Sequence, residues 1–224
     1  MKDALLLKSF IGFSAFYLLI ILFGQDNISW FLKPLLLPFL LLAVYYSEPF
    51  PTKKLLLLAL TFSWIGDVIL MFADKGELYF IFGLVAFLLS HLVYIVLFSK
   101  QLPTENHSNK SILWIGIVAI LAYLALMLAT LLPSLGDLKI PVVVYALVIS
   151  TMLFFAFKRS LSWEKPANNY ILLGAIIFVS SDSILAFDKF YIPIPMSNFL
   201  IMATYLVAQY LIVAGILKLN EEKT

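Results

Sequence analysis

Residues 54–73 read KLLLLALTFSWIGDVILMFA. After the leading lysine the stretch carries a single charge, Asp67, and it lacks the two-residue alternation of a barrel strand. Its twenty residues, rising 1.5 Å each, cross a hydrocarbon core about 30 Å thick, so the segment reads as a membrane-spanning helix. An acid inside such a segment is the feature that any functional reading has to explain.

The rest of the chain repeats the pattern. Of its 224 residues 63% are hydrophobic and 12% charged, against roughly 25% charged in a soluble domain. Apolar runs of spanning length are expected at about 4–23, 31–47, 54–73, 77–98, 111–132, 138–158, 168–187 and 196–218. Short connections separate them, marked by breakers such as Glu48-Pro49-Phe50-Pro51, Asp74-Lys75-Gly76 and Pro193 with Pro195. The fold class is therefore all-α, a polytopic membrane helical bundle with about eight transmembrane helices. Residues 1–224 are expected to form a single integral membrane domain with no attached soluble domain. The first run lacks a small-residue cleavage site and reads as a retained helix. The absence of cysteine excludes disulfides and thiolate metal sites. With His91 and His107 the only histidines, a histidine-rich metal centre is not expected, nor is a cofactor or a nucleic-acid partner. His107, in the polar loop, reads as solvated.

Basic residues set the expected orientation. The N-terminus and every second loop hold Lys2, Lys8, Lys53, Lys54, Lys100, Lys110, Lys158, Arg159, Lys165, Lys218 and Lys223, eleven of the fifteen. The opposite side has Lys33, Lys75, Lys139 and Lys189. Both termini are thus expected in the cytoplasm. Short loops and the absence of eukaryotic sorting signals point to a bacterial inner membrane. The third and seventh spans share a pattern, Gly66-Asp67-Val68-Ile69-Leu70-Met71-Phe72 against Ser181-Asp182-Ser183-Ile184-Leu185-Ala186-Phe187. The offset of four spans suits a parallel four-plus-four internal repeat, although coincidence among common apolar residues also accounts for it.

Asp67 and Asp182 are the two acids well inside spans, each about six residues from the expected outer end. An ionised aspartate at mid-membrane costs on the order of 2.5–3.5 kcal/mol on insertion scales. Lys33 enters from the same side, and two carboxylates with one cation at similar depth offset each other's desolvation. The alternatives are a structural network for the acids and simple snorkelling for Lys33. His91 and Tyr94 are three apart on one helical face, with Ser90 adjacent; Tyr205 and Gln209 are four apart in the last span. Tyr94 and Gln209 each follow their aspartate by 27 residues. Singly such residues are most simply interhelical hydrogen bonds; together they suggest the lining of a polar cavity. Tyr145 is a weaker candidate, since tyrosine is common at span ends. Trp30, Trp114 and Trp163 read as interface anchors.

These residues resemble a known family. Lys33-Pro34, Gly66-Asp67-x-x-Leu70, Gly83-x-x-x-Phe87-x-x-x-His91-x-x-Tyr94, Ser181-Asp182-x-x-Leu185-Ala186 with Lys189-Phe190, and Tyr205-x-x-Ala208-Gln209 look like the YhhN-like lysoplasmalogenases. The resemblance runs from Lys33 to Gln209; the first span and the stretch from Lys100 to Lys110 contribute nothing to it. It implies a hydrolase that cleaves the sn-1 vinyl ether bond of lysoplasmalogens, releasing a fatty aldehyde and glycerophosphoethanolamine or glycerophosphocholine. The implied partners are a lysophospholipid substrate and the membrane lipid. On that reading Asp67 and Asp182 are the catalytic acid–base pair, Lys33 meets the phosphate or tunes the pair, and His91, Tyr94, Tyr145, Ser181, Tyr205 and Gln209 bind substrate and water.

Three other readings compete, one of them a purely structural membrane protein that would show neither activity of the other two. A proton-coupled carrier of a small molecule or lipid also places carboxylates inside spans, but paired glycine and proline breaks at matching central positions are not evident. An intramembrane aspartyl protease also uses two aspartates, yet Ile65 stands two before Asp67 and no tyrosine precedes Asp182, so the Gly-x-Gly-Asp and Tyr-Asp motifs are incomplete. No phosphate-binding glycine loop, Gly-x-Ser-x-Gly elbow or His-Glu-x-x-His pair is found.

Overall fold

The computed structural model describes residues 2–101 and 110–221, so that His107 and Lys223 lie outside the described residues. Nine α-helices, and no strand, occur among the described residues. They pack as two compact units that part between Lys100 and Gln101.

The first unit begins with α1 (Lys2–Leu22). Gly24, at φ +67°, ends it. The Gly24 N–H donates to the Ile21 carbonyl and the Gln25 N–H to the Ile20 carbonyl, the double bond of a Schellman cap, which a left-handed glycine permits. Next come α2 (Asp26–Leu32) and α3 (Leu36–Tyr46), separated by one 3-10 turn at Lys33–Leu35. Together they form one apolar length, Asp26–Tyr46. The span expected from residue 31 thus starts earlier: Asp26 occupies the first helical turn, where its charge suits the helix dipole. Lys33-Pro34 marks an interruption rather than a beginning. The cause lies in two prolines. Pro34 has no N–H to donate, and its own carbonyl looks four residues ahead to Pro38, which has none either.

The hairpin of α4 (Lys53–Leu70) and α5 (Glu77–Lys100) follows. Small residues let the two helices approach. A Cβ added at Gly66 would lie 2.7 Å from the Phe87 ring, and one at Gly83 would lie 2.5 Å from Leu70. The Ser63 and Ser90 hydroxyls meet at 2.8 Å, and Ser90 also donates to the Ala59 carbonyl. At the other end of α4, Lys53 Nζ donates to the carbonyls of Tyr45 and Ser47, closing the C-terminal end of α3.

The second unit holds α6 (Lys110–Leu131), α7 (Lys139–Ser160), α8 (Ala167–Phe190) and α9 (Ser197–Glu221), the last as far as Leu219. Leu131, Leu135 and Val142 form a buried cluster with Met127, Phe187 and Phe190. Helices α8 and α9 touch where Gly174 faces Ile212 and the Ala208 carbonyl, and where Gly215 faces Ile171. Helix α6 buries one side chain, Leu131.

Among the described residues seven helical lengths are long and apolar enough to cross a membrane. Helix α4, at 18 residues, is about 27 Å long, and carries Lys53, Lys54 and Asp67 besides its apolar run. The chain is an integral membrane protein built of helices. Trp30 and Trp114 are exposed, as anchors would be, but Trp163 is 2% exposed and packs inside the protein instead of facing headgroups.

Candidate functional site

Each unit carries its own polar cluster. In the first, Asp67 is buried, three residues from the end of α4. Lys33 and Tyr17 both lie within electrostatic reach of its carboxyl group. The route by which Lys33 arrives there is visible. Trp64 stands three residues before Asp67, on the same face of α4, and its indole Nε1–H donates to the Pro34 carbonyl at 2.8 Å. That bond supplies the donor that Pro38 cannot, as neighbouring helices do for broken helices in membranes, and fixes the Lys33–Leu35 turn beside Asp67. His91 and Tyr94 are fully buried on α5, Tyr94 stacked on Phe98 at 5.8 Å.

In the second unit Asp182 is half-buried on α8, eight residues before its end at Phe190. The two acids therefore do not share one distance from their helix ends, because α4 stops at Leu70 whereas α8 continues through Asp188 and Lys189. The Tyr145 hydroxyl of α7 donates to Asp182 Oδ2 at 2.5 Å. One residue on, the Ser183 hydroxyl pairs with the Tyr123 hydroxyl of α6 and donates to the Val179 carbonyl. Tyr123, Tyr145, Ser150, Asp182 and Ser183 line a cleft between α6, α7 and α8. Its other walls are apolar, among them Leu124, Leu128, Val142 and Ile149. The lining, few polar groups on oily walls, has the character of a small-molecule site.

Ser181, Tyr205 and Gln209 are buried but do not line that cleft. The Ser181 hydroxyl donates to the Ile201 carbonyl, tying α8 to α9, and Tyr205 meets Phe178 edge-on at 5.6 Å. Tyr17, Tyr123, Ser150 and Ser183 were not among the residues singled out from sequence. Tyr123 had a legible signal: it sits at the middle of α6, away from the interfaces where tyrosine is ordinary.

Apolar helices of crossing length that turn acids and hydroxyls toward one another define a polytopic membrane protein with polar sites inside the bilayer. The chain belongs to the YhhN family, which it matches over residues 28–216. The human lysoplasmalogenase TMEM86B is 32% identical over 206 residues, 89% of this chain and 81% of its own length. The Bos taurus lysoplasmalogenase TMEM86A is 32% identical over 178 residues, 76% of this chain and 68% of its own. A lysoplasmalogenase of Mycobacterium bovis is 33% identical over 139 residues, 61% and 50% of the two lengths. No solved structure matches the chain.

Proposed function

We propose that the chain is a membrane-embedded lysoplasmalogenase, hydrolysing the sn-1 vinyl ether bond of a lysoplasmalogen to a fatty aldehyde and glycerophosphoethanolamine or glycerophosphocholine. Membership of the YhhN family and the likeness to lysoplasmalogenases over most of the chain support the substrate class. The observation that carries the chemistry is a carboxyl group, Asp182, oriented by a phenol, Tyr145, on an apolar cleft.

A vinyl ether is hydrolysed by protonation of its β-carbon, which converts the double bond to an oxocarbenium ion. Water adds to that ion and loses a proton, giving a hemiacetal. The hemiacetal then breaks its bond to the glycerol oxygen, which leaves with a proton, and the aldehyde remains. One carboxylic acid to give the first proton and one carboxylate to receive the water's proton suffice, a division of labour shared with glycosidases. Asp182, oriented by Tyr145, and Asp67 are the candidates for these roles. Lys33 meets the substrate phosphate as a point charge. His91, Tyr94, Ser181, Tyr205 and Gln209 line no part of the Asp182 cleft, and Ser181 serves instead to tie α8 to α9. The alkenyl chain lies along the apolar walls, where each buried methylene contributes about 0.8 kcal/mol. Both termini face the cytoplasm of a bacterial inner membrane, an orientation supported by the distribution of lysines and arginines.

The test is to incubate detergent-purified protein with a lysoplasmalogen and with its ester-linked counterpart, following aldehyde release. Aldehyde from the vinyl ether is expected. Release of fatty acid from the ester with no aldehyde from the vinyl ether discards the proposal.

A further inference from the structure

Hydroxyl groups in membrane helices often bond the carbonyl one turn back, and several in this chain do so. Thr151 donates to Leu147, Ser180 to Ile176 and Ser183 to Val179. Ser150, the neighbour of Thr151, departs from that pattern. Its side chain is 5% exposed, it lines the cleft that holds Asp182, and its Oγ has no hydrogen-bond partner among the described residues. The other polar side chains of that cleft are engaged, Tyr145 with Asp182 and Tyr123 with Ser183. A buried hydroxyl left unpaired on the wall of a cleft is free to bond a molecule that enters it, since unsatisfied buried polar atoms are otherwise selected against in folded proteins.

We propose that Ser150 recognises the free sn-2 hydroxyl of the substrate and thereby selects lysolipids; the inference rests on the Asp182 cleft being the substrate site. Ser150 lies five residues beyond Tyr145 on α7, about 7.5 Å along the helix axis. The sn-2 oxygen of a lysoplasmalogen is five bonds from the β-carbon that receives the proton. With the vinyl group at Asp182, the sn-2 hydroxyl falls at a comparable remove, whereas the attacking water must sit at the carboxyl end of the cleft. An acyl ester at sn-2 has no hydrogen to donate and brings bulk to a position where Ser150 is already enclosed.

The experiment compares kcat/KM of purified full-length wild type and Ser150→Ala on a lysoplasmalogen and on its 2-deoxy analogue, which lacks the sn-2 hydroxyl. One neutral hydrogen bond corresponds to about tenfold. Wild type is expected to favour the hydroxyl-bearing substrate by about that factor. Ser150→Ala is expected to lose about tenfold on that substrate, remain unchanged on the analogue, and melt no lower than wild type. Equal losses on both substrates would mean that Ser150 holds water, and an unchanged preference that it contacts nothing; either overturns the inference while leaving the parent function intact. A large drop in melting temperature overturns it too, by assigning the hydroxyl to the fold. If wild type releases no aldehyde from either substrate, the parent reading fails and this one with it.

Discussion

Trp64 and Pro34, thirty residues apart, are joined by a 2.8 Å hydrogen bond from an indole N–H to a backbone carbonyl. The carbonyl needs it because the residue four ahead is Pro38. The bond also keeps the Lys33 turn against the face of α4 that carries Asp67, so a packing contact and a charge contact depend on the same side chain.

Trp64→Phe keeps an aromatic ring and removes the donor. The expected loss is about 1–3 kcal/mol, that of a buried carbonyl left unpaired, read as a lower melting temperature in detergent. Adding Pro38→Ala restores a backbone N–H for the Pro34 carbonyl. The double variant should recover much of the lost stability; no recovery would show that the indole acts only by filling space.

Asp67→Asn and Asp182→Asn keep size and remove proton transfer, a contribution of about 10²–10⁴ in rate. Each should lower aldehyde release by about that factor. Because groups acting on one bond are non-additive, the double variant should be little slower than the slower single. Multiplied losses would mean that the two acids contribute independently of one another.

Tyr145→Phe deletes the hydroxyl that orients Asp182. A fall of about tenfold in kcat/KM is expected, with thermal stability little changed. Wild-type kinetics in this variant would remove Tyr145 from the mechanism.

Gly66→Ala puts a methyl group 2.7 Å from the Phe87 ring. Overpacking of this kind costs about 1–3 kcal/mol. Phe87→Leu in the same chain should relieve part of the loss, since the new atom then has room. Thermal unfolding of the two single variants and the double decides it.

The spans were legible because charge in hydrocarbon is expensive, so a sequence of this kind writes its helices as uncharged runs. Both aspartates were found by the same rule, as exceptions to it. The break at Lys33–Leu35 was read as a helix start because a proline suits either position locally; what decides is Trp64, which no local pattern connects to Pro34. Trp163 was misjudged for a related reason, since an amphipathic ring near a span end fits the headgroup layer and the protein interior equally well. Ser150 and Thr151 look alike in sequence. One bonds its own helix and the other faces the cleft, a choice of rotamer and neighbour that residue type does not encode.

Helix α6, with Leu131 its one buried side chain, is a thin partition between the Asp182 cleft and whatever surrounds the protein. A lipid already dissolved in the bilayer is a single helix away from Asp182, the carboxyl group proposed to react, and on that proposal need not pass through water to reach it. On the same proposal the turnover rate is expected to follow the surface mole fraction of substrate, and diluting the assay with inert detergent is expected to slow it even when the bulk concentration is held constant.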